Sequence, residues 1–122
     1  MDIYHIWCNL KDGVSDVDFA DQVGAYMGHL KDQGHIEGWR LTRRKLGLGP
    51  EDMLEFHIMI EVAGLDQLDG AFSHVAARTD PVEGLHYAVN SLVSKVKFAL
   101  YRDLKGQAID LKQLISQHQN IQ

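Results

Sequence analysis

The sequence is short of three things. It has a single cysteine, Cys8, so an intrachain disulfide is excluded and a reducing compartment suits it. Basic charge is in deficit: 12 Lys and Arg against 17 Asp and Glu leave a net charge of −5. That removes the general electrostatic case for nucleic acid or an anionic membrane surface as partner. No stretch reaches the roughly 20 apolar residues needed to span a bilayer, and the opening Met-Asp-Ile-Tyr-His carries no basic leader region. The expectation is a cytoplasmic protein with no membrane partner. What remains is ordinary for a globular chain: 122 residues, 45% apolar and 24% charged, enough for one domain with its own core. There is no internal repeat.

The strongest local signal is Met53–Val62. Leu54, Phe56, Ile58, Ile60 and Val62 alternate with Met53, Glu55, His57, Met59 and Glu61. Period-two alternation rich in β-branched and aromatic residues predicts a strand with two unlike faces. One face is purely apolar. The other mixes carboxylates, an imidazole and thioethers, which reads as the floor of a semi-polar pocket. Residues 2–10 repeat the pattern, with Tyr4, Ile6, Cys8 and Leu10 against Ile3, His5, Trp7 and Asn9.

Between these strands, Ser15 and Asp18 resemble a capping box, and Phe19, Ala20, Val23, Met27 and Leu30 follow at helical spacing. Tyr26 flanks that stripe. Gly24 and Gly28 soften the helix, either for close backbone approach or as tolerated cost, and Gly34 is placed to end it. A strand is predicted over His35–Leu46. Its Arg40, Arg43, Arg44 and Lys45 read as an anion contact or, more simply, as an edge guarded by cations. Helices are predicted over about 65–78 and from an Asp80 cap to about Lys95, with His86 and Asn90 one turn apart beside the buried stripe of the second. A last strand covers 96–102. Residues 105–122 form a tail, an arm or short helix carried by Leu111, Leu114 and Ile115, apart from a domain at 1–104.

The order β-α-β-β-α(α)-β predicts an α+β, ferredoxin-like βαββαβ fold: a four-stranded antiparallel sheet, helices on one face, and an extra helix before the last strand. Helices can cover only one face of such a sheet. An apolar second face would aggregate, so a homodimer with sheets packed face to face is expected.

The stretch Ile3-Tyr-His-Ile-Trp-Cys-Asn-Leu-Lys-Asp-Gly13, the helix with Tyr26, the strand Glu55-Phe-His-Ile-Met-Ile-Glu-Val62 and the helix ending Ala71-Phe-Ser-His74 together resemble the stress-responsive dimeric α/β-barrel family. The resemblance covers roughly residues 2–102. It implies a two-fold dimer whose sheets form the barrel, with a ligand pocket between each sheet and its own helices. On that analogy the apolar set faces the barrel and dimer, and the His5/His57 set faces the pocket. His5, His57 and Tyr26 match by position the histidines and tyrosine that a plant polyketide cyclase of the family uses without a cofactor. That enzyme's second-helix tyrosine falls on Ala71 here. Cofactor-independent monooxygenases of similar fold place an asparagine on the first strand, where Asn9 lies.

From the residues, His57 is the candidate proton-transfer group, with His5 or Glu55 orienting it, since an imidazole near a carboxylate in a partly dry pocket can have its pKa tuned. Trp7, Asn9, Tyr26, Glu55, Met59, Glu61 and His86 are the candidate ligand-binding residues. Two histidines and two glutamates have the composition of a metal site, but no His-x-x-x-His or cysteine pair supports one, and neither metal nor cofactor is expected. Gly47-x-Gly49 lacks the lysine and hydroxyl residue of a phosphate loop. The expected function is binding of a small, largely apolar organic ligand, with or without cofactor-independent acid/base chemistry. A non-catalytic structural or stress-related dimer and a cofactor-independent monooxygenase are the alternatives.

Overall fold

The computed structural model describes residues 1–104. Seven elements follow in order: β1 (Asp2–Leu10), α1 (Asp16–Asp32), β2 (Gly38–Arg43), β3 (Phe56–Val62), α2 (Leu65–Ala76), α3 (Val82–Asn90) and β4 (Val93–Arg102). The strands form one antiparallel sheet in the order β2-β3-β1-β4, the ferredoxin-like arrangement expected from the sequence. The arm expected at residues 105–122 lies outside the described residues.

Register decides the faces. Tyr4 opposes Ile60, Ile6 opposes Ile58 and Cys8 opposes Phe56, so the two apolar sets share one side. On the other side Ile3 opposes Glu61, His5 opposes Met59 and Trp7 opposes His57. The helices lie on the apolar side. Phe19, Val23, Met27 and Leu30 of α1 are buried there with Phe56, Ile58, Ile60 and Val62. The Phe19 and Phe56 rings meet edge to face at 5.2 Å. Burying four such α1 side chains contributes roughly 6–12 kcal/mol, an upper figure because the unfolded chain already hides some of that area. The sequence-based assignment of faces is therefore reversed: the apolar set lies under the helices, and the His5/His57 set faces away from them. The physical reason is desolvation. Amphipathic helices bury their stripes on the most apolar surface offered, and covering Glu55 and Glu61 would strand two carboxylates in a dry layer.

Local signals behave as their chemistry requires. The Ser15 hydroxyl accepts from the Val17 and Asp18 amides and starts α1. Gly34 ends it at φ +76, and the His35 N–H donates to the Leu30 carbonyl at 2.9 Å. A Cβ placed on Gly24 would meet the Trp39 ring at an ordinary 3.8 Å, so no close approach requires glycine and a softer helix is simply tolerated there. β2 is an edge strand, as its cations suggested, and its Arg43 bridges Asp16 and Glu55 at 2.8 Å each. It is shorter than expected, because Ile36 is buried in the core and Leu46 and Gly47 turn the chain with positive φ. α3 has no side-chain cap bond from Asp80, and it stops at Asn90 rather than near Lys95. Val93, opposite Leu10 across a register shift, already belongs to β4.

Candidate functional site: a cavity under the helices and a polar sheet face

A cavity of about 310 Å³ lies between the sheet and the helices. β1 contributes Tyr4, Ile6 and Cys8, α1 contributes Tyr26, α3 contributes His86 and Asn90, and β4 closes the far wall with Val96 and Phe98. Among the described residues, no Asp, Glu, Lys or Arg side chain lines it. Burial pushes the Tyr26 hydroxyl up to about 12, with Tyr4 adding to the effect, and burial raises the Tyr4 hydroxyl as well. Both are therefore neutral hydrogen-bond donors rather than phenolates. Cys8 is held as a thiol, pushed up to about 11 by burial. The Tyr26 and His86 rings meet edge to face at 5.8 Å. The chamber thus offers apolar walls, two hydroxyls, an imidazole and an amide, the composition of a pocket for a small neutral molecule.

Of the site residues singled out from the sequence, only Tyr26 and His86 line this cavity. His5, Trp7, Asn9, Glu55, His57, Met59 and Glu61 lie on the opposite side of the sheet, so the expectation that they floor the pocket is corrected. There they form a layer bonded largely within itself. His5 Nδ1 and His57 Nε2 are 2.7 Å apart, one donating and the other accepting. Trp7 stacks on His57 at 4.5 Å and on His5 at 5.3 Å, and Tyr101 meets His5 edge-on at 4.8 Å. Partial burial lowers the pKa of both imidazoles, and the neighbouring His5 lowers that of His57 further. The Asn9 amide oxygen accepts the Glu55 N–H at 2.9 Å, and the Glu55 carboxylate pairs with Arg43. A larger basin of about 1120 Å³ opens where Asp16, Arg43 and Glu55 lie, but it is a wide surface hollow, and Arg43 there pairs with both carboxylates.

Tyr4 and Asn90 are cavity residues that the sequence pattern does not reveal. Tyr4 reads as a member of an apolar alternation, and only the helical spacing of Asn90 from His86 hints at a shared direction. A histidine cluster is hidden in the same way. His29 and His74 have ring nitrogens 3.1 Å apart, and His35 stacks on His74 at 4.3 Å. Burial and the two neighbouring imidazoles lower the pKa of His74. These three come from α1, a loop and α2, and no local pattern connects them. Among the described residues, no three His, Cys, Asp or Glu side chains are arranged to hold a metal ion. Nor is any described helix long and apolar enough to cross a membrane.

The molecule has a ferredoxin-like fold, and two similar solved structures of that fold are described as dimeric. Protein At3g17210 from Arabidopsis thaliana is similar, with a TM-score of 0.66 at 11% identity over 91% of this chain and 100% of that one. SnoaB, a cofactor-independent oxygenase from Streptomyces nogalater, gives 0.65 at 8% identity over 88% and 97%. A dimeric ferredoxin-like protein of unknown function from Thermobifida fusca gives 0.52 at 16% identity over 84% and 92%. At these identities the likeness shows the fold alone. No curated protein matches the chain in sequence. The chain belongs to DUF6614, a family of unknown function, which it matches over residues 1–113.

Proposed function

We propose that this protein is a homodimer, of the dimeric α/β-barrel kind that its resemblance to the stress-responsive family implies, and that each subunit binds a small, largely apolar organic molecule under its helices. The observation that carries the ligand reading is the 310 Å³ cavity with apolar walls and un-ionised polar groups. Tyr26 and Tyr4 would donate to a carbonyl or ether oxygen. His86 would accept or deliver a proton, and Asn90 would orient the polar end. An imidazole beside un-ionised hydroxyls supports proton transfer without a cofactor. The likeness to SnoaB makes oxygen chemistry the second reading for the same chamber.

The dimer reading assigns the other face. Ile3, Trp7 and Met59 on the sheet, with Met53 and the exposed loop residue Leu48 beside them, offer apolar contacts, and the His5–His57 pair supplies a satisfied polar centre. The dimeric relative of the same fold supports it. The unpaired Cys8 fits a reducing, cytoplasmic setting.

Native mass spectrometry of the purified protein, followed by a fluorescence screen of neutral aromatic and polyketide-like molecules, tests the ligand reading. Binding should weaken at least tenfold in Tyr26→Phe, in His86→Ala and in Val75→Phe, the last of which narrows the chamber. His57→Gln should leave it unchanged. If His57→Gln abolishes binding while Tyr26→Phe does not, the ligand sits on the other face. If nothing binds and every variant is folded, the non-catalytic dimer is the better description.

A further inference from the structure

β4 carries an apolar strip that no element among the described residues covers. Its Val96, Phe98 and Leu100 point to the helix side, opposite Cys8, Ile6 and Tyr4 respectively. Yet Phe98 is 60% and Leu100 50% exposed, because α1 and α2 pack toward β2 and β3 while β4 packs chiefly on β1. Phe72 of α2 continues the strip. It meets Tyr4 edge-on at 5.3 Å, and Tyr4 in turn stacks on Phe98 at 5.9 Å. Val96, Phe98 and Phe72 are also the outer wall of the cavity. A dimer formed through the histidine face would leave the strip bare, since it lies on the other side of the sheet. Contiguous aromatic surface of this kind, facing water, calls for an occupant.

We infer that the strip is the docking surface for residues 105–122 of the same chain. Three observations favour this occupant. The segment begins just beyond the end of β4 at Arg102, so its attachment point is at the end of the strip. Its sequence spaces Ala108, Leu111, Leu114 and Ile115 at helical intervals, an apolar stripe with polar flanks. The family match continues to residue 113, beyond the last strand, so the unit that defines the family takes in half of this segment. Reach is sufficient. At about 1.5 Å per residue the segment as a helix would extend roughly 27 Å, against roughly 33 Å for the ten residues of β4. Doubling back along the strand would cover Leu100, Phe98 and Phe72. The docking inference rests on the exposed strip and is independent of the ligand reading.

Hydrogen–deuterium exchange on the full chain, without any added ligand, tests the docking separately from the cavity's function. The amides of residues 107–118 should exchange at least tenfold more slowly than in an unstructured peptide. Phe98→Glu with Leu100→Glu should return them to unprotected rates. Both positions are half exposed or more, so the domain should stay folded. Leu111→Glu with Ile115→Glu should do the same from the other partner, with no change in the exchange of β1 and β3. Val17→Glu, exposed on α1 and outside both the strip and the histidine face, should have no effect. A photo-crosslinker in place of Leu100, in a mixture of light and ¹⁵N-labelled protein, should yield joined peptides from one chain only. Unprotected amides in the wild type, protection that survives both double variants, or crosslinks between light and heavy chains would each overturn the inference, the last by making a second copy the occupant.

Discussion

Two adjacent residues of β3 separate the two sides of the molecule. Ile58 is 3% exposed in the core beneath the helices, whereas Met59 lies half-buried on the histidine face. Truncating Ile58 to alanine removes side-chain carbons from a wall of the existing 310 Å³ cavity, so the void grows instead of collapsing. Buried Ile→Ala changes cost about 2–5 kcal/mol, and a site that cannot collapse belongs in the middle or upper part of that range, about 3–4 kcal/mol. With a urea m-value of about 1.5 kcal/mol per molar for a domain of this size, the midpoint should fall by roughly 2 M. That shift should not depend on protein concentration, because the contact lies inside one subunit. Met59→Ala should behave differently. Within the subunit it should cost under about 1 kcal/mol, as a partly exposed side chain does. Its further cost should appear only where dimers are populated, and should therefore vary with protein concentration. Equilibrium urea unfolding by circular dichroism across a broad range of concentration, with size-exclusion light scattering, measures both. A Met59→Ala loss as large as that of Ile58→Ala and independent of concentration would refute the assignment of faces.

Acid should weaken the molecule through its histidines. His5, His57 and His74 have folded pKa values below the ordinary imidazole value, so the folded state favours their neutral forms. Their contribution is present above about pH 6.5 and is lost as pH falls through the folded values. Melting temperature should drop as the pH is lowered from neutral through that window, and His5→Gln with His57→Gln should flatten the slope. Tyrosine ionisation followed by ultraviolet absorbance should show one late residue near pH 12, absent in Tyr26→Phe. Cys8, 1% exposed and un-ionised, should react with a thiol reagent in the native protein at least a hundredfold more slowly than in urea. Fast labelling would show that the β1 core opens readily.

Much of the fold is legible because it is written in short-range periodicity. The alternations in residues 2–10 and 53–62, the stripe from Phe19 to Leu30 and the Ser15 cap each need only their own neighbours to be read. Boundaries are less legible where tertiary pairing overrides propensity, as at Val93, drawn into β4 by Leu10. The candidate site is only half visible. Tyr26 and His86 can be picked out as candidates and do line the cavity, but Tyr4 is hidden inside an apolar alternation. The meeting of His29, His35 and His74 joins three separate parts of the chain.

By itself the sequence determined that the sheet has two unlike faces and which residues share each one, because side chains alternate strictly along a strand. It could not say which face the helices would cover. That was decided by tertiary packing: the stripes of α1 and α2 find their largest apolar contact on Phe56, Ile58 and Ile60, and Glu55 and Glu61 stay where water or Arg43 can reach them. With that choice the candidate chamber moved to Tyr4, Tyr26 and His86. The histidine pair, which in sequence reads as a catalytic centre, became the polar middle of the sheet face turned away from the described helices.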